Sequence, residues 1–289
     1  SAPSSGSLAP GTPSVLRVGS VPYLVGRPID ATLAEEEGIE FRREVPARLV
    51  DGLRSGELDV ALVSSIGLFR RPGYRYLAGA AITGRGFVAS VQVFLRRRLD
   101  EVRTVALDPA SRTAQALVRV TLTERAERRG IAVPEFLELE PGADPAAAEA
   151  DAWLQIGDPA LRTYLGPGCP PIFNPSEAWC ESRGLPFVFA AWIVRPGVRL
   201  SEAHRRAFAR ARENGLARLE SLAEEAGRVW GLPLGPCRRY FASECRYDPG
   251  LELTDALLAF RDGAAALGLC RPDLAPEPIP LPGAEPCPS

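Results

Sequence analysis

The segment ALDPASRTAQAL, residues 106–117, contains the residues best suited to bind an anion. A predicted strand ends at Asp108, and Ser111 is expected to be the N-cap or a first-turn residue of the next helix. There the free backbone N–H groups, the hydroxyls of Ser111 and Thr113 and the guanidinium of Arg112 could converge on one negative charge. The alternative is an ordinary capped helix with Arg112 in solvent. The segment alone leaves both interpretations open.

Polar residues also lie at or within three other predicted strands. Ser64 and Ser65 end DVALVSS and predict either an ordinary cap or a second anion-binding helix start. Asp158 stands at a third strand-to-helix turn, where capping is the default role and holding a hydroxyl or a base is the alternative. Ser90 lies in the apolar run GFVASVQVF, either facing a cleft or serving as a small sheet residue. Two polar helix starts facing across a cleft would suit a dicarboxylate.

Alternating strand and helix patterns predict the elements that position these residues. VLRVGSV, IEFRREV and DVALVSS are typical of strands, with helices predicted over 28–37 and 46–55. A second series opens with the strand VRTVALD and a helix over 112–129. From 201 to about 269 the pattern is helical, and a proline-rich loop follows. This alternation favours an α/β fold with helices on the sheet faces.

The strands fall into two clusters, which predicts two lobes with a ligand cleft between them. We expect a disordered tail over 1–14, a discontinuous first lobe over 15–98 plus 197–289, and a second lobe over 99–196. The loop VGSVPYLVGRPI, residues 18–29, follows the first strand and is expected to form one wall of the cleft.

Composition excludes several classes of chemistry. The chain has no lysine, so Schiff-base chemistry, a pyridoxal phosphate anchor and a Walker-type phosphate lysine are excluded. Its one histidine, His204, is predicted to lie on a solvated helix face, which disfavours Ser-His-Asp hydrolysis and histidine-bound zinc. A formal net charge of −2 gives no electrostatic support for a nucleic acid or membrane partner. We therefore expect a small-molecule partner.

The six cysteines form no CxxC pair, so neither a zinc site nor an iron-sulfur site is predicted. The N-terminal segment SAPSSGSLAPGTPS has no hydrophobic core of the kind found in leaders. No apolar run approaches the length of a membrane span. These features predict a cytoplasmic protein with free thiols.

Five segments together resemble the menaquinone-pathway enzymes of the futalosine route, specifically the chorismate dehydratases. The resemblance is fairly specific because the segments occur in the same order, and it covers residues 15–200 well and the helical tail loosely. The segments are GSVPYLxxxPI (19–29), GELDVALVSSI (56–66), ALDPASRTAQAL (106–117), DAWLQIGDPAL (151–161) and GLPFVFAAW (184–192).

The resemblance implies a two-lobed, type 2 periplasmic-binding-protein-like fold used by a cytoplasmic enzyme. It also implies a carbon-oxygen lyase that dehydrates chorismate, a dicarboxylate, to 3-[(1-carboxyvinyl)oxy]benzoate without a metal or organic cofactor. Elimination of the ring hydroxyl and the neighbouring proton aromatises the ring, so the protein needs to orient the substrate, stabilise an enolate-like carboxylate and supply or borrow a base.

The resemblance also implies roles for individual residues. Ser90 would contact substrate near the reacting carbon, and the segment from Ser111 through Arg112 to Thr113 would hold a carboxylate. The other lobe would contribute three further contacts, namely Ser64, Ser65 and the loop around Tyr23. The base is not assigned, and a substrate carboxylate acting intramolecularly is one option.

Val25 departs from the family pattern, because the loop usually reads YLN and the asparagine is expected to bind substrate. Valine makes no such hydrogen bond, which predicts a slower dehydratase, a different contact through Arg27, or another ligand. Two alternatives therefore stay open. One is the sister 1,4-dihydroxy-6-naphthoate synthase of the same pathway, and the other is a non-catalytic cytoplasmic protein that binds a small carboxylate.

Overall fold

A computed structural model describes residues 10–283 of the protein. Residues 1–9 of the predicted tail lie outside this range, as does Cys287. Near the end of the predicted tail, the Gly11 carbonyl accepts a hydrogen bond of 2.9 Å from the Arg199 N–H. The chain therefore already contacts the fold at Gly11.

The strands within residues 10–283 form two sheets. The first has the order β11-β4-β10-β3-β1-β2, with β12 beside β4, and the second has the order β7-β6-β8-β5-β9. The strands are β1 (Leu16–Ser20), β2 (Ile39–Arg43), β3 (Val60–Ser64), β4 (Arg75–Gly84), β5 (Val91–Leu95), β6 (Thr104–Leu107), β7 (Glu135–Glu138), β8 (Ala152–Ile156), β9 (Ile172–Phe173), β10 (Phe187–Val194), β11 (Cys245–Arg246) and β12 (Pro278–Pro280).

Helices connect these strands and cover the sheets. They are α1 (Arg27–Asp30), α2 (Pro46–Ser55), α3 (Arg112–Arg129), α4 (Gly157–Leu165), α5 (Pro175–Arg183), α6 (Glu202–Leu216), α7 (Leu219–Trp230), α8 (Leu234–Arg239) and α9 (Glu252–Ala266). The sequence pattern predicts α2 and α3 with these bounds, and the structure confirms both. None of the helices formed by residues 10–283 has the length and apolar character needed to cross a lipid bilayer.

Parallel pairing explains the continuous apolar strands at the centre of each sheet. β1 pairs in parallel with β2 and β3, and β6 pairs in parallel with β7 and β8. Strands covered on both faces read as unbroken apolar runs, and residues 60–63 are all buried. The tryptophans Trp153, Trp179 and Trp192 are buried as well and belong to the core.

Two strands, β5 and β10, pair with the sheet of the other lobe and not with that of the lobe predicted for them. β5 falls within the predicted first lobe and pairs with β8 and β9 of the second sheet. β10 falls within the predicted second lobe and pairs antiparallel with β3 and β4 of the first sheet. The chain thus crosses between sheets within 85–90 and 174–186. An apolar strand pattern predicts that a strand forms but carries no signal of which sheet it joins.

Asp59 ties three central strands of the first sheet together. Its carboxylate is almost fully buried and accepts hydrogen bonds from the Arg17 backbone N–H and guanidinium, at 2.8–3.0 Å, and from the Arg195 guanidinium, at 2.8 and 3.2 Å. Burial alone would raise the pKa of Asp59, but these bonds outweigh it and hold the pKa below its usual value. The charge is therefore retained where β1, β3 and β10 meet.

The predicted helix over 28–37 is wrong, because the segment forms only short helical pieces at 24–26, 27–30 and 33–35. The buried Asp30 side chain accepts hydrogen bonds from Ser20 Oγ at 2.6 Å and from Arg43 at 2.9 Å. These bonds fasten the segment to β1 and β2. Tertiary contacts therefore determine the path of the chain here, at the expense of helical periodicity.

The predicted position of His204 is also wrong. The side chain is only 5% exposed, and its Nδ1 accepts a hydrogen bond from the Ser201 N–H while Ser201 Oγ accepts one from the His204 N–H. This capping box buries the ring at the start of α6, and burial lowers the pKa of His204. The histidine is therefore a helix cap and lies off the solvated face.

A close approach between α1 and α6 fixes the loop that follows β1. A Cβ added at Gly215 in α6 would stand 2.1 Å from the Pro28 carbonyl oxygen, a distance that real Cβ atoms do not show. The obstructing atom belongs to the backbone and cannot rotate away. Gly215 thus allows α6 to hold the segment that carries Tyr23 and Val25.

We expect Gly215→Ala to lower the free energy of unfolding by about 1–3 kcal/mol, because the added methyl group must displace α1. Urea unfolding followed by circular dichroism measures this change. Gly235→Ala is the matched control, since a Cβ at this helical glycine meets only the tip of Arg239, at 3.9 Å. Equal stability of the two variants would contradict the role of Gly215.

Candidate functional site

The start of α3 retains free hydrogen-bond donors. Ser111 is the N-cap, as predicted, and its Oγ accepts a hydrogen bond of 3.2 Å from the Ala114 N–H. Within the part of the chain that the structure describes, the backbone N–H groups of Arg112 and Thr113 have no acceptor. Unpaired N–H groups at the positive end of a helix favour an anion.

The two polar helix starts that were expected to face each other across a cleft, at 64–65 and at 111–113, are in direct contact. Thr113 Oγ1, which is fully buried, accepts a hydrogen bond of 3.1 Å from the Ile66 N–H. Ser65 is also buried, and its hydroxyl donates to the Val188 carbonyl of β10 at 2.6 Å. Ser64 ends β3 and makes no side-chain cap bond. The hydrogen bond between Thr113 and Ile66 joins the edges of the two sheets. Of the two serines, only Ser64 keeps an accessible hydroxyl.

Ser90 lies in a turn before β5, so its predicted place inside a strand is wrong. The residue belongs to the crossing segment between the sheets, where its carbonyl accepts a hydrogen bond of 2.8 Å from the Gly157 N–H. Its side chain is 7% exposed, and Ser90 Oγ accepts a hydrogen bond of 2.9 Å from the Tyr240 hydroxyl. Because Oγ accepts from Tyr240, the Ser90 proton is free to be donated to a ligand.

A single turn of π-helix, Tyr240–Glu244, supplies two groups beside Ser90. Burial raises the pKa of Tyr240 well above its usual value, so the phenol stays protonated and donates. Glu244 Oε2 accepts a hydrogen bond of 2.8 Å from the Ala89 N–H, and partial burial raises the pKa of Glu244. Turns of this type recur at functional sites. Neither residue was predicted, because the tail showed only a helical pattern.

Tyr23 of the loop after β1 lies near two carboxyl groups of the second sheet. Its side chain is about half exposed, and partial burial together with the charges of Asp158 and Asp108 raises the pKa of Tyr23. Asp108 accepts hydrogen bonds from the N–H groups of Ala110, at 2.9 Å, and Ile156, at 3.1 Å. The loop therefore lies close to the groups that follow β6 and β8 of the second sheet.

Asp158 does not cap α4, so the default expectation for this residue is wrong. The N-cap is Ile156, and Asp158 lies in the first turn with its carboxyl half-buried. Burial raises the pKa of Asp158, with Arg162 partly offsetting it, and burial likewise raises the pKa of Asp108. Together with Glu244, these groups give the cleft three carboxyls that bind protons more readily than exposed ones do.

Val25 is half-buried and packs against the core of the first sheet. The neighbouring Arg27 is engaged within its own loop, because one terminal nitrogen donates to the Pro22 carbonyl at 3.1 Å and the other lies 3.6 Å from Asp30. The position occupied by Val25 therefore contributes an apolar surface, whereas Arg27 keeps one buried terminal nitrogen without a hydrogen-bond acceptor.

The nine predicted residues thus separate into groups. Ser90, Tyr23 and Asp158 lie with Asp108, Tyr240 and Glu244 around the cleft, whereas Ser64 and Arg112 line a cavity that none of these six residues lines. Ser65, Ser111 and Thr113 form the contact between the sheet edges or cap α3, and Val25 packs against the core of the first sheet. Among residues 10–283 there is no group of three or more His, Cys, Asp or Glu side chains that could hold a metal ion.

A family model described as menaquinone biosynthesis matches residues 16–266. A chorismate dehydratase from Thermus thermophilus is 32% identical over 271 residues, which cover 86% of this chain and 96% of the relative. The chain belongs to the menaquinone biosynthesis family. The match extends past residue 200 through the π-helical turn at Tyr240–Glu244, where the sequence resemblance was loose.

Solved structures that resemble this protein have the predicted fold. A protein from Archaeoglobus fulgidus superposes with a TM-score of 0.67 at 18% identity, covering 89% of this chain and 98% of its own. The alkanesulfonate-binding protein of Xanthomonas axonopodis pv. citri, bound to MOPS, gives 0.63 at 17% identity, covering 93% and 99%. These likenesses confirm the two-lobed periplasmic-binding-protein-like fold.

We expect Thr113→Val to lower the free energy of unfolding by about 1–3 kcal/mol, because it leaves the buried Ile66 N–H without an acceptor while keeping the side-chain shape. Thr121→Val is the control, since the Thr121 hydroxyl donates only to carbonyls of its own helix. Chemical denaturation of both variants without ligand tests this. If the variants lose the same stability, the Thr113–Ile66 bond does not hold the sheets together.

Proposed function

We propose that this protein is a chorismate dehydratase of the futalosine route to menaquinone, a hydro-lyase without a cofactor. The observation that carries the proposal is the 32% identity to a chorismate dehydratase across 96% of that relative. The cleft supports it, because the site provides hydrogen-bond donors and proton-binding carboxyls and no lysine. Elimination of water needs these groups and needs no nucleophile.

The proposed reaction breaks one C–H bond and one C–O bond of the ring and forms one C=C bond. The proton and the hydroxyl leave as water, and the ring becomes aromatic. Charge accumulates on the ring carboxylate as the proton leaves, and unpaired N–H donors are the groups that stabilise such charge. The Arg112 and Thr113 N–H groups at the start of α3 are proposed for this role, with the Ser111 hydroxyl beside them.

Ser90 is the proposed catalytic residue because its hydroxyl proton is free and its position is fixed on two sides. Tyr240 holds Oγ, and the Gly157 N–H holds the Ser90 carbonyl. The hydroxyl can donate to the leaving group or to an oxygen of the substrate next to it. Tyr23, Asp158 and Ser64 remain proposed substrate contacts on the walls of the two sheets, whereas the buried Ser65 hydroxyl donates to Val188 and makes none.

Val25 weakens this site relative to one with asparagine. An amide at this position would hydrogen-bond a polar group of the substrate, and valine leaves that group unpaired. Arg27 offers a different contact, because only one of its terminal nitrogens donates, to the Pro22 carbonyl, while the other lies 3.6 Å from Asp30 without a hydrogen-bond acceptor. We therefore propose an enzyme whose turnover is limited by this loop.

We also propose that the protein acts in the cytoplasm. The five cysteines within the described residues, at 169, 180, 237, 245 and 270, are free thiols. Free thiols are the usual state in a reducing compartment.

Purified protein incubated with chorismate is expected to form the aromatic enolpyruvyl ether, detected by chromatography. Ser90→Ala should lower kcat by about 100-fold or more, since it removes the proposed donor. Ser221→Ala is the control, because that exposed hydroxyl donates only to the Arg218 carbonyl. Thermal stabilisation by chorismate without product would instead indicate a binding protein. The absence of both product and binding would refute the chorismate assignment.

Val25→Asn is expected to raise kcat by about tenfold or more, because the amide supplies a hydrogen bond that the parent lacks. Steady-state kinetics on chorismate measures the change, with Val25→Leu as a control of similar polarity to the parent. A Val25→Asn enzyme no faster than Val25→Leu would show that the loop does not limit turnover.

Tyr240→Phe is expected to lower kcat about tenfold with little change in KM, because it frees Ser90 Oγ to rotate while the ring stays in place. Tyr240 acts here as a positioning residue. Tyr247→Phe is the control, since that buried hydroxyl lies beside Cys245 rather than Ser90. Equal kcat values for the two variants, at equal melting temperatures, would exclude the positioning role.

A further inference from the structure

Ser90 is a central residue of a four-residue turn, 88–91, at the point where the chain enters β5. The Val91 N–H closes this turn by donating a hydrogen bond of 3.2 Å to the Val88 carbonyl. The backbone angles of the turn set the direction of the Ser90 Cα–Cβ bond. The groups that hold the turn therefore decide where the Ser90 hydroxyl points.

Asn174 holds both ends of this turn from the second crossing segment, 174–186. Its side chain is only 6% exposed, and its Nδ2 donates to the Val88 carbonyl at 3.0 Å and to the Val91 carbonyl at 3.3 Å. Gln92 Oε1 accepts from the same nitrogen at 3.1 Å, and Asn174 Oδ1 accepts from the Val88 N–H at 3.5 Å. One buried amide thus joins the two segments through which the chain passes between the sheets.

Helix capping alone does not require an asparagine at this position. Asn174 is the N-cap of α5, and its Oδ1 accepts a hydrogen bond of 2.9 Å from the Glu177 N–H. Serine, threonine and aspartate also cap helices well, but none of them carries two N–H donors beside the accepting oxygen. The amide therefore provides donors that capping does not use, and the structure directs them at the turn and at Gln92.

Three other groups hold the turn at one atom each. The Gly157 N–H donates to the Ser90 carbonyl at 2.8 Å, and Tyr240 donates to Ser90 Oγ at 2.9 Å. Glu244 accepts from the Ala89 N–H at 2.8 Å. These contacts act on the middle of the turn, whereas Asn174 fixes its first and last residues.

We propose that Asn174 is a positioning residue for Ser90: its amide holds the turn 88–91 in the conformation that directs the Ser90 hydroxyl at the substrate. The inference rests on the proposed function, because it assigns a support to the proposed catalytic donor. Asn174 is buried behind the turn and acts through Ser90, without a substrate contact of its own.

Asn174→Ser tests this role, because serine keeps an oxygen for the cap and lacks the amide donors. The variant is expected to lower kcat on chorismate about tenfold with little change in KM, since a misdirected donor affects the chemical step. Asn214→Ser is the matched control at the other asparagine of the chain, which is exposed and approaches Thr32 Oγ1 at 3.5 Å. Equal kcat values for the two variants would overturn the proposal.

The same substitution in a Ser90→Ala background separates positioning from a general loss of structure. If Asn174 acts through Ser90, Asn174→Ser has no further effect on kcat once the hydroxyl is absent, so the two changes are not additive. A purely structural role would lower kcat by the same factor in both backgrounds, and this result would overturn the proposal. Asn174→Thr, which also caps and leaves a smaller gap, replaces Asn174→Ser if the serine variant does not fold.

Amide hydrogen exchange without substrate tests the hold on the turn directly. Asn174→Ser is expected to speed exchange of the Val91 and Gly157 N–H groups, whose acceptors belong to the turn, and to leave the interior of α9 unchanged. Unchanged exchange at both groups would overturn the proposal. A parent protein that forms no product would instead refute the reaction and with it the catalytic role of Asn174, whereas the exchange rates alone decide whether Asn174 holds the turn.

Discussion

The buried carboxylate of Asp59 is the interaction on which the arrangement of the first sheet depends. It joins β1, β3 and β10 through the backbone and side chain of Arg17 and through Arg195. β10 returns from the second sheet and runs antiparallel to β3, so its register is not set by a short turn. With this register fixed, Ser65 meets the Val188 carbonyl, and the end of β3 lies against the start of α3.

The apolar runs predicted most of the strands and the helices α2 and α3, because their signals are local: α2 begins at Pro46 and stops at the left-handed Gly56, and α3 begins at the Ser111 cap and stops at the left-handed Gly130. The segment after β1 could not be predicted in this way. Its conformation depends on bonds from Asp30 to Ser20 and Arg43, and these residues meet only in the folded chain. His204 was predicted on a solvated face, and this was wrong because the capping box with Ser201 buries the imidazole ring at the start of α6.

In the candidate site, too, residues identified by local sequence or by the family resemblance were predicted, and residues placed by long-range contacts were not. Ser111 was recognised as a cap from local sequence, and the family resemblance directed attention to Ser90 and to the loop at Tyr23. Tyr240 and Glu244 could not be found, since they reach Ser90 and Ala89 from about 150 positions away in the chain. Their positions depend on one turn of π-helix, which has no distinctive sequence pattern. Contacts between residues so far apart in the chain cannot be predicted from a single sequence.

Ser90 belongs to the segment through which the chain first passes from one sheet to the other. Its carbonyl accepts a hydrogen bond from the Gly157 N–H at the start of α4, and its hydroxyl accepts one from Tyr240 of the helical region packed on the first sheet. The alignment of this hydroxyl therefore depends on groups from both sides of the crossing, so the relative placement of the two sheets sets the direction of the donor.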